Sequence, residues 1–335
     1  MSWKALKSTS MKLARVVLAG AIFMGGSASS VMAAALVLKF AHEAPATHIK
    51  NLSALKFAEL VDKYSNGTIK VEVFPGAQLM PTLEEIRAAV RGQVDFIAPY
   101  TTYYSGIDGL WDIFYQPMLF KSPQQAMEIF AGEIGQSILA RLDTRGLKGI
   151  AIWHDGPVNM FTRGEAALTP AAIKGMKVRT APSKPLEALL QKSGAAPIGM
   201  PGPEVYLALQ QNVVSGVVTT PTFAAPSRWG EVLTTMTREV WGIGGYGVAV
   251  SKRTWDKLSP EQQAIIPKAM NEATEWNRAQ TLENIAKSEA MLVAGGLKIV
   301  ELDDAQRTEW LELAKTVWAT QSDEVKALIA KIQQK

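Results

Sequence analysis

The spacing of apolar residues in the first part of the chain predicts strands that alternate with helices. Residues 36–41 (LVLKFA) form a short apolar run that is typical of a buried strand. Apolar residues recur with helical spacing over 47–64 and alternate with polar residues over 69–73, which predicts a helix and a second strand. A third strand is predicted at 94–98. This order favours a parallel sheet with helices on its faces.

The same rhythm returns later in the chain and predicts a second sheet. Short strands are predicted at residues 149–153, 158–162, 177–181, 196–200, 214–219 and 297–301. Helices are predicted between some of these strands at 186–193 and 204–211, and a last helical stretch at 303–334. Because no Pro/Ser-rich linker separates the two halves, we expect the chain to cross between two lobes more than once.

Two helix starts have recognisable capping sequences. Thr82 and Glu85 fit a capping box, and Gly92 suits the left-handed turn that would end this helix. Residues 259–262 (SPEQ) combine a serine cap, proline at the first helical position and glutamine at the third. Nothing interrupts the helical pattern over 260–294, which predicts a helix roughly 50 Å long, enough to span two lobes.

The first 33 residues are predicted to be a secretion signal and to take no part in the fold. Four basic residues precede an apolar run at 16–24, which is far shorter than the roughly 20 residues that span a bilayer. Small residues then lead to Ala33, after which we expect cleavage, to within about two residues. The basic residues are Lys4, Lys7, Lys12 and Arg15.

Removal of this signal changes the charge of the chain. The sequence has 35 basic and 31 acidic residues, so the loss of four basic residues predicts a neutral mature protein. Neutrality gives no support for binding to nucleic acid or to an anionic membrane. The sequence has no cysteine, and therefore offers no disulfide, no thiolate metal site and no lipid-attachment cysteine. We expect the mature protein to be free in the periplasm.

Two motifs suggest chemistry that their context does not support. Residues 242–247 (GIGGYG) match G-x-G-x-x-G, but a strand-like segment follows where a dinucleotide site needs a helix. We interpret these glycines as a flexible crossing between lobes. His42, His48 and His154 lack the spacing of a metal site, although His42 and Glu43 follow the first strand and could lie at the rim of a ligand site. We expect no cofactor and no metal.

Arg179 is the most informative single residue. It ends the strand predicted at 177–181, at the sheet edge where α/β proteins place ligands, and a guanidinium can bind a carboxylate through two parallel hydrogen bonds. From position alone, a surface ion pair is the simpler interpretation. Aromatic residues also cluster in loops, where they would either fill the core or line a cleft. They are Tyr100, Tyr103, Tyr104, Trp111, Phe114, Tyr115, Phe223 and Trp229.

Four segments of the chain carry a family resemblance. They are residues 57–79 (FAELVDKYSNGTIKVEVFPGAQL), 86–97 (IRAAVRGQVDFI), 175–183 (GMKVRTAPS) and 194–216 (GAAPIGMPGPEVYLALQQNVVSG). Together they resemble DctP-type substrate-binding proteins of tripartite ATP-independent periplasmic (TRAP) transporters, and the similarity runs through essentially the whole mature chain.

The resemblance implies an α/β fold of the two-lobed, type II-like periplasmic binding class. Each lobe would be a mainly parallel sheet flanked by helices, with a long helix spanning both. Lobe I would comprise residues 34–156 plus about 247–285, and lobe II residues 157–246 plus about 286–335. The lobes would hinge shut on a solute that bears a carboxylate. Arg179 matches the family's near-universal arginine, which clamps that carboxylate.

Two departures from the family pattern limit what can be carried over. Residues 214–221 (VSGVVTTP) lack the asparagine of V-D-G-x-E-N-P, so Thr219 or Thr220 would replace its contact. Residues 156–161 (GPVNMF) lack the second arginine of members that bind acidic sugars. These differences favour a ligand with one carboxylate, a modest polar group and an aromatic or aliphatic body. The predicted ligand-binding residues are Arg179, Asn159, Phe161, Thr219, Thr220, Phe223, Tyr100 and Tyr246.

Other classes of protein stay open on the sequence alone. An enzyme would need a base and an acid or nucleophile in the cleft, whereas the sequence supplies one arginine and uncharged polar groups. A binding protein for an ABC importer or a chemoreceptor is distinguished only by the resemblance. We expect a monomer that binds a small organic acid, serves TRAP membrane subunits transiently, binds no nucleic acid and has no catalytic residue.

Overall fold

Two mixed β-sheets flanked by helices make up the part of the chain that the computed structural model describes, residues 35–335. The predicted signal peptide and its cleavage after Ala33 lie outside the described residues. The strands are β1 (Leu36–Ala41), β2 (Ile69–Phe74), β3 (Phe96–Ile97), β4 (Leu147–Pro157), β5 (Asn159–Thr162), β6 (Lys177–Thr180), β7 (Ala196–Gly199), β8 (Gly216–Thr219), β9 (Thr235–Arg238), β10 (Ile243–Ser251) and β11 (Lys298–Glu301).

Helices lie between these strands and after the last of them. They are α1 (Ile49–Tyr64), α2 (Glu85–Arg91), α3 (Pro123–Ala131), α4 (Glu133–Ala140), α5 (Lys184–Lys192), α6 (Gly202–Gln210), α7 (Pro221–Ala224), α8 (Lys252–Trp255), α9 (Pro260–Ala294), α10 (Asp304–Trp318) and α11 (Asp323–Gln333). Short 3₁₀ helices cover Thr82–Glu84, Thr101–Gly106, Gly109–Tyr115, Arg141–Arg145, Pro170–Ile173 and Trp229–Glu231. No helix within residues 35–335 has both the length and the apolar character that a membrane crossing requires.

The chain passes between the two sheets three times. The first sheet has the order β2-β1-β3-β10-β4 and the second the order β11-β9-β5-β8-β6-β7, so the crossings fall after β4, β9 and β10. At the first crossing one residue, Val158, separates β4 from β5. Its N–H donates to the carbonyl of Gly242 at 2.9 Å, and Trp241 N–H donates back to its carbonyl at 3.0 Å. Two crossing segments are therefore joined side by side.

The sheets are mixed where the sequence predicted mainly parallel ones. In the first sheet β1 runs parallel to β2 and β3, but β10 runs antiparallel to β3 and β4. In the second sheet β5 runs antiparallel to β8 and β9, and the other pairs are parallel. The antiparallel pairs all involve strands next to a crossing, because a chain that moves directly between sheets enters the second one without a helical return. The predicted residue boundaries of the two lobes stay a prediction.

The long helix predicted at 260–294 is confirmed as α9, with the same first and last residues. Its capping box is also as predicted, since Gln262 N–H donates to Ser259 Oγ while Ser259 N–H donates to the Gln262 side chain. The helix packs against α1 and β4 of the first sheet. Near its other end Leu292 joins the apolar core of the second sheet. It therefore braces both sheets.

Two predicted helix boundaries are wrong. The capping box at Thr82 does not form, because a 3₁₀ turn follows Pro81 and α2 begins only at Glu85, with no side-chain cap. Gly92 ends α2 in the left-handed conformation as predicted, with φ 75°. The helical stretch predicted at 303–334 is two helices, because Ser322 caps a new start by accepting from the N–H of Val325.

The glycine motif at 242–247 lies at the start of β10 and leads into no helix, which excludes the dinucleotide-binding loop as predicted. The interpretation as a flexible crossing is wrong for most of the motif, because β10 pairs with β4 along its length. Gly247 makes room for an aromatic cluster instead. A Cβ there would lie 2.5 Å from the ring of Tyr104 and 2.7 Å from Trp111. Tyr104 also donates a 2.8 Å hydrogen bond to the Gly247 carbonyl.

Candidate ligand-binding site

A narrow cavity lies where residues of both sheets meet. Residues that follow β1 and β3 form one side, and residues of β6, β8 and the segments that follow them form the other. This is the place where α/β sheets build ligand sites, beyond the carboxyl ends of their strands. The lining residues are Glu43, Tyr100, Tyr103, Arg179, Ala181, Gly202, Thr219 and Phe223.

Arg179 lies on β6 and is 3% exposed. Its Nε and Nη2 donate to the main-chain carbonyl of Met200 at 3.0 and 2.7 Å, which fixes the plane of the guanidinium. The guanidinium carbon lies 5.6 Å from the centre of the Trp229 ring. Burial lowers the pKa of Arg179, although arginine retains its proton in proteins.

No carboxylate of residues 35–335 lies within 4.0 Å of this guanidinium, and its Nη1 makes no hydrogen bond in that range of the chain. The surface ion pair that position alone favoured is therefore wrong, because Arg179 is neither exposed nor paired. An isolated buried charge is unfavourable unless a partner of opposite charge reaches it. The cavity supplies the space for such an anion.

A buried ion pair lies on the other side of the cavity. Glu43 follows β1, and Lys50 is in the first turn of α1. Lys50 Nζ is 2.5 Å from Glu43 Oε2, and the two side chains are 0% and 2% exposed. The same ammonium lies 3.8 Å from the centre of the Tyr246 ring. The ammonium group of Lys50 is thus paired with Glu43, packed against Tyr246 and buried away from solvent.

A second buried acid, Glu85, lies near the pair of Glu43 and Lys50. Neither of its carboxylate oxygens has a hydrogen-bond partner within the described residues. Burial first, and then the negative charge of Glu43, raise the pKa of Glu85 well above its usual value, while Lys50 opposes the shift. Burial thus favours the neutral, protonated form of Glu85 more than it is favoured in an exposed glutamate.

Replacement of Glu85 by glutamine is expected to stabilise the protein at neutral and alkaline pH. The pKa of Glu85 is higher in the folded than in the unfolded state, so wild type loses stability as pH rises above about 4.3, the unfolded value. Glu85→Gln removes this loss, and its advantage in free energy of unfolding should grow from pH 4 to pH 8. Urea titrations across that range measure the difference. Glu84→Gln, at a neighbouring side chain that is 40% exposed, is the control. An advantage that does not change with pH would contradict the buried neutral acid.

Asp155 connects the two sheets beside the cavity. It lies on β4, and its Oδ1 is 3.1 Å from His48 Nε2 at the start of α1. From the second sheet's side, Thr220 Oγ1 donates to Oδ2 at 2.6 Å and Thr222 Oγ1 donates to Oδ1 at 2.7 Å. Burial alone would raise the pKa of Asp155, but His48 and the two hydroxyls outweigh it and hold the pKa below its usual value.

The structure brings four of the predicted ligand-binding residues to the cavity wall: Arg179, Thr219, Phe223 and Tyr100. Two more lie one layer behind it. Thr220 binds Asp155, and Tyr246 packs between Lys50 and Tyr100, its ring centre 5.6 Å from that of Tyr100. Ligand contact by these residues stays a prediction.

Asn159 and Phe161 do not line this cavity. The amide of Asn159 donates to the carbonyl of Pro157 and accepts from the N–H of Glu239, so it serves the crossing segments. Phe161 is buried in the apolar core of the second sheet. The short strand β5 places alternate side chains away from the cavity, which the sequence pattern did not reveal.

Sequence reasoning missed Lys50 and Asp155 and identified Glu43 only as a possible rim residue. One signal was present for Lys50. A cation in the first turn of a helix is unfavourable because the amino end of a helix carries partial positive charge. Lysine at that position therefore indicates a nearby anion, which is Glu43. Asp155 gave no comparable signal, because its partners Thr220 and Thr222 are more than 60 residues away.

The fold and the cavity together define a two-lobed solute-binding protein, in which two α/β sheets joined by crossing segments enclose a small site with a buried arginine. The chain belongs to the bacterial extracellular solute-binding proteins of family 7, DctP, whose family model matches residues 40–324. This confirms the resemblance found in the sequence.

Individual relatives agree with this assignment. The C4-dicarboxylate-binding periplasmic protein DctP of Rhodobacter capsulatus is 34% identical over 85% of this chain and 86% of its own length. The 2,3-diketo-L-gulonate-binding periplasmic protein YiaO of Escherichia coli is 28% identical over 88% and 90%. The crystal structure of a TRAP periplasmic solute-binding protein from Shewanella oneidensis with bound succinate superimposes with a TM-score of 0.86 at 27% identity, covering 90% of this chain and 99% of that one.

Proposed function

We propose that this protein is a periplasmic receptor that captures a small organic acid between its two sheets and delivers it to the membrane subunits of a TRAP transporter. One observation carries the proposal: Arg179 is a buried, oriented guanidinium without an acidic partner, and it faces a cavity. A ligand carboxylate would supply the missing charge. Charge-assisted hydrogen bonds of this kind are about twice as strong as neutral ones.

Closure of the two sheets on the ligand follows from how the cavity is built. Glu43 and Tyr100 come from the first sheet, whereas Arg179 and Thr219 come from the second. A ligand that touches both sides therefore binds the closed form more tightly than an open one, and this difference drives closure. The paired crossing segments at Val158 are short and hydrogen-bonded to each other, which suits a hinge.

The cavity supports binding better than catalysis. The acids nearest to it are already engaged, Glu43 with Lys50 and Asp155 with His48 and two threonines. His48 and Asp155 are fully buried and do not line the cavity. A catalytic base or nucleophile has to reach the reacting atoms, and no such pair faces the ligand space formed by residues 35–335. We therefore infer a receptor and not a periplasmic enzyme.

The transport assignment draws on the relatives. Those reported above are periplasmic binding proteins for carboxylate-bearing solutes, and one is a TRAP component by name. Membership in the same family favours TRAP membrane subunits over an ABC importer or a chemoreceptor as the partner. We propose that the protein works as a periplasmic monomer and that contact with the membrane subunits is transient.

A thermal-shift screen with organic acids tests the receptor function. A ligand at 100 times its Kd adds about 2.7 kcal/mol to the free energy of unfolding, which should raise Tm by several degrees. Each acid is paired with its neutral amide as the control, because the amide keeps the shape and loses the charge that Arg179 requires. A screen in which sugars, amines or the neutral amides raise Tm and the acids do not would overturn the proposal.

A further inference from the structure

We infer that Glu43 restricts this site to short monocarboxylates that carry a hydroxyl group, and that it excludes dicarboxylates. The inference rests on the proposed function and names the class of acid that the receptor takes. It concerns the side of the cavity opposite Arg179, where the ligand's second polar group would lie.

The charges around the cavity leave room for one anion only. Arg179 is the cation without an acidic partner among the charged residues that line it. Lys50 is the other nearby cation, but Glu43 is 2.5 Å from it and neutralises it. A second ligand carboxylate would therefore be buried against the negative Glu43, with no free cation to pair with it.

Glu43 offers a different interaction to a ligand. Its Oε2 accepts from Lys50, whereas its Oε1 receives no hydrogen bond from any residue within 35–335. Glu43 also lines the cavity. An ionised carboxylate oxygen only accepts hydrogen bonds, so the group that satisfies it has to be a donor. A ligand hydroxyl is such a donor, and a second carboxylate is not.

The remaining walls limit the size and character of the ligand. Tyr100, Tyr103 and Phe223 present aromatic rings, and Thr219 adds a hydroxyl. These walls suit a short carbon chain that carries one carboxylate and one hydroxyl.

Calorimetry with two matched series of acids tests the inference. The series are propionate, lactate and malonate, and butyrate, 3-hydroxybutyrate and succinate, so that within each series a hydrogen, a hydroxyl or a second carboxylate is compared. We expect wild type to bind lactate or 3-hydroxybutyrate at least tenfold more tightly than the dicarboxylate and the unsubstituted acid of the same series.

Glu43→Gln changes this preference in a predicted direction. Glutamine keeps the size of the side chain and an acceptor oxygen but loses the charge that neutralises Lys50. We expect malonate or succinate to bind the variant at least tenfold more tightly than wild type. Glu59→Gln, at a 63% exposed glutamate on α1, is the matched control and should leave all affinities unchanged.

The outcomes separate this inference from the proposed function. If the wider acid screen finds a ligand but wild type binds a dicarboxylate as tightly as the hydroxy acid, or binds none of the six acids, the inference is overturned and the receptor function stands. If no acid binds at all, both are overturned. A folded Glu43→Gln variant that gains no dicarboxylate binding overturns the role of Glu43. If the variant does not fold, the wild-type series alone decides.

Discussion

Arg179→Ala is expected to weaken the binding of a carboxylate ligand by roughly thirtyfold to several thousandfold. The substitution leaves the ligand's anion buried without a partner, at a cost of about 2–5 kcal/mol, and each 1.4 kcal/mol is a factor of about ten. Arg179→Lys should restore little of this loss. Lysine keeps the positive charge, but it cannot bond the Met200 carbonyl and present a planar face to the ligand at the same time.

The unliganded Arg179→Ala protein should unfold at the same temperature as wild type or at a higher one, because a buried charge without a partner is removed. Calorimetry of ligand binding together with thermal unfolding separates the two effects. Arg87→Ala, at a side chain that is 71% exposed, is the control for loss of a positive charge and should bind like wild type. Unchanged affinity in Arg179→Ala would show that the carboxylate is held elsewhere.

Asp155→Ala is expected to lower the free energy of unfolding by about 3–5 kcal/mol. It removes one partner of a buried pair and leaves His48, Thr220 and Thr222 without their shared acceptor. Because these partners come from both sides of the cavity, the loss also loosens the join between the two sheets. Denaturant unfolding at pH 7 measures the change, and Asp62→Ala, at an exposed aspartate on α1, is the control.

The effect of Asp155→Ala should also depend on pH. The pKa of Asp155 is lower in the folded state, so its stabilising contribution is complete above the unfolded value of about 3.9 and is lost as pH falls through the folded pKa. The difference between wild type and variant should thus be constant from pH 5 to 8 and shrink at more acid pH. A difference that stays constant as the pH falls into the acid range would mean that the carboxylate charge is not what stabilises the network.

The fold could be predicted from the sequence where local pattern determines it. Strand β1 and the long helix α9 were located at their exact residues, because apolar spacing and capping act within a few positions. The mixed sheets could not be, since β10 pairs with β4 across almost a hundred residues of chain. The capping box at Thr82 shows the opposite case, in which a local sequence pattern is present but the predicted structure does not form. Its local sequence was suitable, but the geometry after Pro81 favoured a tighter turn.

The residues of the candidate site, too, could be predicted only where local sequence features identify them. Arg179 was identified because its residue type and the family resemblance outweighed the surface ion pair that its position alone favoured. The bond that orients it comes from Met200, which follows the next strand, and could not be anticipated. Glu43 and Lys50 are seven residues apart, but one is in a loop and the other in a helix, so no periodicity relates them. Aromatic residues could not be sorted by sequence into core and cavity, because both environments suit the same side chains.

The bond from Arg179 to the main-chain carbonyl of Met200 affects how this protein can evolve. A side-chain partner could be lost by one codon change, whereas a carbonyl is present whatever residue occupies position 200, provided that the backbone keeps its course. The orientation of Arg179, the proposed carboxylate contact, therefore does not depend on which side chain occupies position 200. By contrast, the proposed role of Glu43 depends on its own side chain, so a single substitution at position 43 would abolish it. On the proposed roles, substitutions at position 43 would change which solute is bound, while the carboxylate contact at Arg179 would be retained.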